Sequence, residues 1–447
     1  MSKQYKLKRG LDIKIAGSAS TGVEHAAESK TVALKPTDFA GLTPKLCVKA
    51  EEAVKAGDVL FFDKYHPEIL FTSPVSGTVK EIVRGERRKV LAVVVESDGK
   101  HEKVSFEKPT NLKREQVIAL LLKSGLWPFM KQRPYGCLAN PSDTPKHIFI
   151  SGFDSSPLGA DYEFTFRDEL GSIQTAINAL NTLTDGKVFF GLPGKTSSIF
   201  QSLKNVELNT FDGPHPAGNV GIQIHHISPI NKGEKVWTLS VQALVYIGRL
   251  LATGELDMSK TIALVGSEVS APKYYKTLHG ASIASVVNGK TKKETNERII
   301  SGTILTGTQV TADDYLGYFD QSVCVIPEGD EYEFMGWAAP GFGKYSASCT
   351  FVDKLMPKKA YTLNANMHGG HRAFVVSGQY EKYLPMDILP VYLLKAILAG
   401  NIDKMEQLGL YEVIEEDLAL CEYACTSKTN VQDIISKGIA TMIQELG

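Results

Sequence analysis

The chain has 447 residues, more than one hydrophobic core usually serves, so we expect several domains. Its hydrophobic content of 43%, charged content of 22% and 39 glycines are typical of a folded globular protein and argue against long disorder. The formal net charge of −1 gives no electrostatic reason to expect a nucleic-acid partner.

The sequence shows no export signal and no membrane span. Residues Met1–Gly10 are basic but lack the apolar core of a signal peptide, and the apolar run Val241–Gly248 stops at Arg249. We therefore expect a cytoplasmic protein that other chains hold at any membrane it serves. Reduced thiols are expected at the six scattered cysteines, Cys47, Cys137, Cys324, Cys349, Cys421 and Cys425.

Residues 10 to 105 alternate apolar and polar positions between turn residues, which predicts short β-strands. Within them, Val54–Phe61 and Phe71–Ile82 resemble the two halves of a biotinyl/lipoyl-type barrel-sandwich domain. The charge run Arg84–Lys89 is interpreted as a solvated turn between strands, with a docking patch as the alternative.

An α/β pattern follows from about residue 145. Lys146–Ile150 and Lys187–Gly191 are strand candidates, and between them apolar residues recur at helical spacing. This order indicates a parallel, Rossmann-like layer. Alternation in Gly221–Ile227 predicts a further strand with His225 and His226 on opposite faces.

Strand candidates at Thr261–Gly266 and Ile299–Leu305 resemble a small β-grasp module, and the remainder ends in helices. Asp387 is expected to cap one helix that Gly400 ends, and Thr429–Gln432 fits a capping box that opens the last. The predicted fold is α+β and multidomain. Its domains are a barrel-sandwich domain (1–105), a Rossmann-like α/β domain (106–256), a β-grasp, SLBB-like domain (257–345) and a C-terminal helical domain (346–447).

Two motifs favour cofactor attachment only weakly. Gly194-Lys195-Thr196 is similar to a phosphate loop, but residue 189 is Phe where the full motif needs glycine, so an ordinary strand-to-helix turn is preferred. Asp63-Lys64 is similar to a lipoyl or biotin attachment site, but the bulky Tyr65–Pro67 follows it, so no prosthetic group is expected on Lys64.

Candidate metal ligands are also sparse. Cys421 and Cys425 are only two of the four thiolates that an iron–sulfur cluster needs, so no cluster is predicted. The pairs His225/His226 and His368/His371 lack a third ligand at regular spacing. No hydrolase, zinc-protease or kinase motif occurs, so no catalytic residue is assigned.

Eight strings in order along the chain resemble the A subunits of the sodium-translocating NADH:quinone oxidoreductases. They are Arg9–Gly17, Ser124–Trp127 with Arg133-Pro134, Phe211–Gly218, Arg298–Gly302, Tyr315–Gly317, Glu333–Trp337, Leu384–Pro390 and Glu416–Cys421. The sequence departs from this family's pattern at Cys425–Lys428, where a Pro-Gly pair is usual, and at His368–His371.

The resemblance implies a six-subunit complex that oxidises NADH, reduces ubiquinone or menaquinone and exports Na⁺. This chain would be peripheral on the cytoplasmic face of the bacterial inner membrane, at the quinone-reducing end, with five partner subunits that include the membrane-spanning ones. NADH, flavins and iron–sulfur centres would belong to the partners, this chain would hold no tight cofactor, and alone it would not turn over. The fold is also similar to the flavin-binding subunit of respiratory complex I, whose flavin loop corresponds to Gly152–Asp161 here, without its glycine-rich approach.

A quinone site should be an apolar cleft with a few polar groups. Aromatic faces could stack on the quinone ring, and a lysine or arginine could hydrogen-bond an oxygen as it gains charge. The alternative is that these residues pack the barrel against the α/β domain. The quinone-proximal candidates are Phe39, Leu42, Trp127, Phe129, Lys131 and Arg133.

Two other functions stay open at this stage. A free-standing flavin- or nucleotide-dependent oxidoreductase is compatible with the α/β layer, although the missing phosphate-loop glycine and cluster cysteines weigh against it. A carrier domain fused to a partner-binding module would require modification of Lys64.

Overall fold

The protein is described by a computed structural model over residues 3–109, 111–194, 198–292, 296–331, 333–336, 338–355 and 359–446. The strands are β1 (Lys3–Lys6), β2 (Val23–His25), β3 (Thr31–Leu34), β4 (Pro44–Leu46), β5 (Ala53–Val54), β6 (Val59–Asp63), β7 (Leu70–Thr72), β8 (Gly77–Arg84), β9 (Val90–Ser97), β10 (Lys131–Arg133), β11 (Cys137–Leu138), β12 (Ile148–Ser151), β13 (Val188–Pro193), β14 (Glu207–Asp212), β15 (Val236–Ser240), β16 (Ser259–Val265), β17 (Lys273–Leu278), β18 (Glu297–Ser301), β19 (Thr308–Val310) and β20 (Ser322–Pro327). The helices are α1 (Arg114–Lys123), α2 (Tyr162–Thr165), α3 (Leu170–Leu180), α4 (Val220–Ile227), α5 (Val241–Thr253), α6 (Ile283–Val287), α7 (Pro390–Leu398), α8 (Ile402–Gln407), α9 (Ala419–Ala424) and α10 (Val431–Leu446).

The N-terminal domain consists of two small antiparallel sheets, ordered β3-β9-β8-β5 and β4-β6-β7. Both predicted half-motifs form strands there, since β6 lies in one and β8 in the other. Gly77 lies where the chain enters β8: a Cβ at this position would lie 1.9 Å from Glu96 O, so only glycine allows β8 and β9 to pair this closely.

The central sheet is ordered β1-β14-β13-β12-β15-β10-β11, with the first five strands parallel. The helix predicted between its first two strand candidates is confirmed as α3, which buries Ile173, Ile177 and Leu180. Helix α3 packs against α5, and Gly248 permits the contact because a Cβ there would lie 1.9 Å from Ser172 O. Helix α4 packs against β12 through a separate apolar cluster.

Two parts of the sequence interpretation were wrong. Residues Gly221–Ile227 belong to helix α4, because a short apolar run cannot be distinguished as strand or helix by its periodicity. Strands β1 and β2 lie outside the barrel, although the sequence analysis assigned residues 1–105 to it. Strand β1 pairs with the otherwise open edge of β14, and β2 extends the third sheet beside β17.

The third sheet is mixed and ordered β19-β18-β20-β16-β17-β2, with apolar side chains on both faces and α6 against it. The strand predicted at Thr261–Gly266 is confirmed as β16. The one predicted at Ile299–Leu305 ends early, at Ser301, because Gly302 with φ of 95° turns the chain.

Helices α7 to α10 form a C-terminal core that also includes Leu7, Ile13 and Ile15 from the start of the chain. Gly400 ends α7 with φ of 65°, as predicted, but Asp387 does not cap it; Leu389 is the N-cap and makes no side-chain bond. At α10 the N–H of Gln432 donates to Glu422 Oε2 (2.7 Å) rather than to Thr429. Across the described residues, none of the helices combines the length and apolar character needed to cross a bilayer.

Candidate functional site

The carboxyl end of strand β12 lies at the point where the order of the central sheet reverses. From β12 the chain goes to β13 and β14 on one side, and it returns to β15 on the other side. In open α/β sheets, ligands bind outside the carboxyl ends of the strands at such a reversal. The loop Gly152–Asp161, which follows β12, begins at this position.

The loop after β12 is engaged by the chain itself. Ser155 Oγ accepts a hydrogen bond from Gly218 N (2.8 Å) and contacts His215 Nδ1 (3.0 Å). Burial lowers the pKa of His215 to about 4, so its imidazole is neutral. Ser151 Oγ donates to Gly218 O (2.7 Å), which fixes the same segment from the strand end. The segment that follows β14 therefore packs against the loop that follows β12.

Two of the six sequence candidates meet in an aromatic cluster. Phe39 lies 4.7 Å from Tyr318 between ring centroids, and Phe129 lies 4.4 Å from the same ring. Phe319 adjoins both, with centroids at 5.5 Å from Phe39 and 6.3 Å from Phe129. Phe39 comes from the barrel, Phe129 from the start of the α/β domain and Tyr318 from the loop between β19 and β20 of the third sheet. The cluster therefore joins three parts of the chain.

Trp127 and Leu42 lie in the hydrophobic core. Trp127 is 0% exposed, its Nε1 donates to Ala139 O (2.7 Å), and its ring packs edge-on against Trp237 with centroids 5.4 Å apart. Leu42 is partly buried against the same core. Both contribute to packing of the barrel against the α/β domain, the alternative that the sequence left open, and protein covers the ring of Trp127.

Arg133 makes a buried ion pair with the C-terminal part of the chain. Its Nη1 donates to Asp417 Oδ2 (2.5 Å), and Nη2 lies 4.0 Å from Glu416 Oε2. Arg133 is 2% exposed and the Asp417 side chain 0%. Asp417 Oδ2 also accepts from Ile414 N (3.0 Å), whereas Arg133 Nη2 and Asp417 Oδ1 have no hydrogen-bond partner in the described residues.

Lys131 is the sequence candidate that stays partly exposed beside aromatic and charged groups. Its Nζ lies 3.6 Å from the centroid of the Phe319 ring, a cation–π contact. Burial lowers the pKa of Lys131, and the negative charge of Glu416 opposes that shift. No hydrogen bond to Lys131 Nζ occurs within the described part of the chain. The ammonium group is thus placed over a ring with donor capacity left.

Carboxylates from other elements act on Lys131, namely Glu416, Asp320 and Glu415. Burial raises the pKa of Glu416, and the neighbouring charge of Asp417 adds to the shift. Burial also raises the pKa of Asp154 and of Tyr162, whose pKa is raised further by Asp154 and Glu416. We call Lys131, Phe319 and Glu416 together the Lys131 junction. It combines one aromatic face, one ammonium group and one carboxyl group whose pKa is raised.

The sequence analysis missed a buried basic pair, His279 and Lys260, beneath the aromatic cluster. His279 is 1% exposed, and neither ring nitrogen has a hydrogen-bond partner in the described residues. Its ring meets Tyr318, Phe129 and Tyr246 at nearly perpendicular angles. Burial lowers its pKa well below the usual range, and Lys260 adds to the shift. A single histidine between strand and turn carries no sequence signal of such burial.

The remaining sequence candidates are scattered. His225 Nδ1 contacts Glu412 Oε2 (2.7 Å), and His371 Nδ1 contacts Lys428 O (2.9 Å). Lys64 is exposed beside Tyr65. In the described ranges, no group of three or more histidine, cysteine or carboxylate residues is arranged to hold a metal ion.

Two further candidates concern the cysteine pair and the phosphate-loop motif. Cys421 and Cys425 are buried, and Tyr380 Oη donates to Cys425 Sγ (2.9 Å). Lys195 and Thr196 of the phosphate-loop motif lie outside the described residues.

Three family models match successive parts of the chain. The NqrA N-terminal barrel-sandwich hybrid domain matches residues 5–98, the NqrA second alpha/beta domain matches 112–256 and the NQRA C-terminal domain matches 261–312. These matches support the barrel-sandwich prediction and the presence of an α/β domain after it.

Curated relatives are similar over nearly their whole length, and all three described here are named as the A subunit of a Na(+)-translocating NADH-quinone reductase. The relative from Yersinia pseudotuberculosis serotype O:1b (strain IP 31758) is 39% identical over 99% of this chain and 100% of its own. That from Rhodopirellula baltica is 36% identical over 98% of both chains. The one from Neisseria meningitidis serogroup B is 36% identical over 98% of this chain and 99% of its own.

Among solved structures, an NAD+-reducing [NiFe]-hydrogenase in the air-oxidized state is similar with a TM-score of 0.37 and 13% identity, over 76% of this chain and 62% of that one. The full-length relatives and the family models decide the assignment. The chain belongs to the family of the A subunits of Na(+)-translocating NADH-quinone reductases.

Proposed function

We propose that this chain serves at the quinone-reducing end of a Na⁺-translocating NADH:quinone reductase and that quinone approaches it at the Lys131 junction. The observation that carries this proposal is the partly exposed residue Lys131, whose ammonium group lies over the Phe319 ring without a hydrogen-bond acceptor in the described residues. A quinone needs an apolar or aromatic surface for its ring and a donor for a carbonyl oxygen, and the junction offers both.

Reduction of a quinone places negative charge on its oxygens before protons arrive. In this proposal Lys131 donates a hydrogen bond to the oxygen that gains charge, because a preformed cation stabilises developing charge without reorganisation. Glu416 supplies one proton, since its carboxyl group acts on the same ammonium group and its pKa is raised, and the second proton comes from solvent. The aromatic ring of Phe319 packs against the quinone ring. Electrons come from the partner subunits.

The proposal extends to the place of the chain in the complex. Five partner subunits, including the membrane-spanning ones, hold NADH, flavins, iron–sulfur centres and the Na⁺ path, because moving a cation across a bilayer needs groups inside it. This chain is a peripheral scaffold on the cytoplasmic face of the bacterial inner membrane, holds no tight cofactor and does not turn over alone.

The finer fold assignments belong to the same proposal. A Rossmann-like origin of residues 106–256 is supported by the strand order β14-β13-β12-β15. A β-grasp domain at 257–345 is supported by the mixed third sheet with α6 against it. A C-terminal helical domain at 346–447 is supported by the shared core of α7 to α10.

The test is calorimetric titration of the purified chain with a short-tailed quinone. We expect saturable binding that Lys131→Ala weakens about tenfold, the value of one charge-assisted hydrogen bond of roughly 1.5 kcal/mol. Lys64→Ala removes an equal charge from an exposed position and should leave binding unchanged. Tryptophan fluorescence is a poorer readout, since Trp127 and Trp237 lie in ring contact.

Two results would count against this site. Equal quinone affinity of the wild type and Lys131→Ala would show that quinone does not bind at the Lys131 junction. Absence of binding by a folded, colourless chain would leave this protein as a scaffold whose quinone contact is made elsewhere in the complex.

A further inference from the structure

The hairpin that joins β8 to β9 closes with an unusual pair of residues. Lys89 N donates to Glu86 O (3.1 Å), so Glu86–Lys89 forms a tight turn with Arg87 and Arg88 at its centre. The backbone of both arginines lies in the left-handed region, with φ of 52° for Arg87 and 62° for Arg88. This is the pattern of a type I′ turn, in which Asn-Gly is the favoured central pair.

Arginine is poorly suited to both central positions. Side chains with a Cβ crowd the following carbonyl in left-handed conformation, and arginine lacks the short polar group by which asparagine offsets this penalty. Neither arginine makes a contact inside the fold that would explain it: both are exposed, and their side chains form no hydrogen bond or ion pair in the described chain. A conformationally disfavoured pair that gives nothing to packing suggests a role for the side chains themselves.

The turn gathers positive charge without counter-ions. Arg84, Arg87, Arg88 and Lys89 are all exposed, and none has a carboxylate within ion-pair distance among the described residues. Arg84 Nη1 donates to Arg88 O (3.1 Å), which ties it to the loop. By contrast, Lys55 and Lys103 in the same part of the chain are paired with Glu102 and Glu255. Only Glu86 offsets the four cations within the turn.

We propose that this hairpin tip, Arg84–Lys89, docks onto anionic phospholipid head groups at the membrane surface. The inference rests on the proposed function, because a place in an ion-translocating complex puts the chain beside a bilayer. An exposed hairpin tip with four cations fits a broad surface of phosphates better than a single ligand. One guanidinium group can donate two parallel hydrogen bonds to a phosphate. Each basic residue near an anionic bilayer adds to the electrostatic attraction.

The test uses flotation of the purified full-length chain with vesicles of phosphatidylcholine alone or mixed with phosphatidylglycerol. Arg87→Asn with Arg88→Gly removes two charges and installs the favoured turn residues, so the unfolding midpoint should be equal or higher while binding to the anionic vesicles falls at least about tenfold. Arg87→Lys with Arg88→Lys should retain most of the binding. Added salt should release the wild type, because exposed charges are screened.

The matched control is Lys30→Gln with Lys100→Gln. It removes the same charge at the other end of β9, where Ser97 N donates to Lys30 O, about 25 Å away at the usual rise per strand residue. This control should bind like the wild type.

Equal binding by wild type and the Asn-Gly variant would overturn the proposal, as would wild-type binding that ignores vesicle charge. Absence of wild-type flotation with the anionic vesicles would also overturn it, and would leave a protein as the partner of this tip. The assay contains no quinone and none of the partner subunits, so its failure is distinguishable from failure of the quinone titration.

Discussion

At the residue scale, the contact between Arg133 and Asp417 shows how a polar pair decides the position of a whole segment. Asp417 lies in the short 3-10 helix Glu415–Leu418, and a Cβ on Gly221 of α4 would lie 2.3 Å from its Oδ1. Only glycine at position 221 therefore leaves room for the carboxylate beside the guanidinium. Because both groups are removed from water, loss of one leaves the other as an uncompensated buried charge.

Arg133→Ala should lower the free energy of unfolding by about 3–5 kcal/mol, because it isolates Asp417. The double change Arg133→Met with Asp417→Leu should cost less than the single one, since it removes both charges. Urea unfolding of the three proteins would check the order. A single variant as stable as the wild type would mean that water reaches the pair.

His279 predicts a pH dependence of stability. Its folded pKa lies well below its unfolded value of about 6.5, so the unfolded chain binds the extra proton first as pH falls. The contribution of His279 to the free energy of unfolding is fully present above about pH 6.5. Below that pH it is lost, and the free energy of unfolding falls at a slope approaching roughly 1.4 kcal/mol per pH unit. His279→Phe should flatten this part of the curve.

The difference between wild type and His279→Phe is the informative quantity, because His215 acts in the same sense, with a pKa of about 4. Thermal unfolding between about pH 5 and 8, where the imidazole normally changes charge, would measure it. Parallel curves for the two proteins would show that His279 takes up its proton without unfolding.

At the scale of elements, the contact of α3 with α5 depends on one glycine. A Cβ on Gly248 would meet Ser172 O at 1.9 Å and its carbonyl carbon at 2.4 Å, and both are backbone atoms that cannot rotate away. Gly248→Ala should therefore force the helices apart and destabilise the α/β domain by about 1–3 kcal/mol, despite the better helix propensity of alanine.

Gly171→Ala on α3 is the matched control, because nothing lies within 4 Å of its added Cβ. That change should leave stability equal or slightly higher. Thermal unfolding would compare the two. If Gly248→Ala were as stable as Gly171→Ala, the close approach of the helices would not be required.

Element predictions succeeded where long periodic patterns existed and failed where short ones did. Helix α3 follows from apolar residues at helical spacing over three turns. Helix α4 has only eight residues, and the four hydrophobic ones do not distinguish a helix from a short strand. Its neighbours in the fold decided between the two: α4 packs against β12 on a sheet whose strands are already paired.

At the scale of the whole molecule, the start of the chain connects parts that are distant in sequence. Strand β1 pairs with β14 through Lys3–Lys6, and Tyr5 stacks on Phe211 with ring centroids 5.0 Å apart. Leu7 and Ile13 then enter the C-terminal core. A segment before the barrel thus supports the α/β sheet and the helices near residue 400.

Deletion of residues 1–7 should expose the edge of β14 and loosen the C-terminal core while leaving the barrel intact. Hydrogen exchange would report it: amides of β14 should exchange at least about tenfold faster, as expected when local opening costs 1.4 kcal/mol less, and those of β9 should not change. Uniform faster exchange through the chain would show that the three parts unfold as one.

The sequence selected the quinone-proximal candidates by residue type, but their surroundings depend on the tertiary structure. They are aromatic, apolar and basic, and the structure gives them different surroundings. Phe39 and Phe129 meet at Tyr318, whereas Arg133 pairs with Asp417. Their individual roles depend on partners from elsewhere. Phe319 and Glu416, which define the surroundings of Lys131, come from segments nearly 200 and 300 residues further along the chain.

The sequence by itself determined the family, the barrel-sandwich start, the α/β alternation and the helices α3, α7 and α10, because these depend on local periodicity, turn residues and ordered motifs. Only the tertiary structure decided that β1 and β2 leave the barrel, that Arg133 is neutralised by Asp417 and that His279 is buried beside Lys260. The physical reason is that strand-edge pairing, desolvation and ion pairing depend on which distant segments meet, and one sequence read in order does not contain those distances.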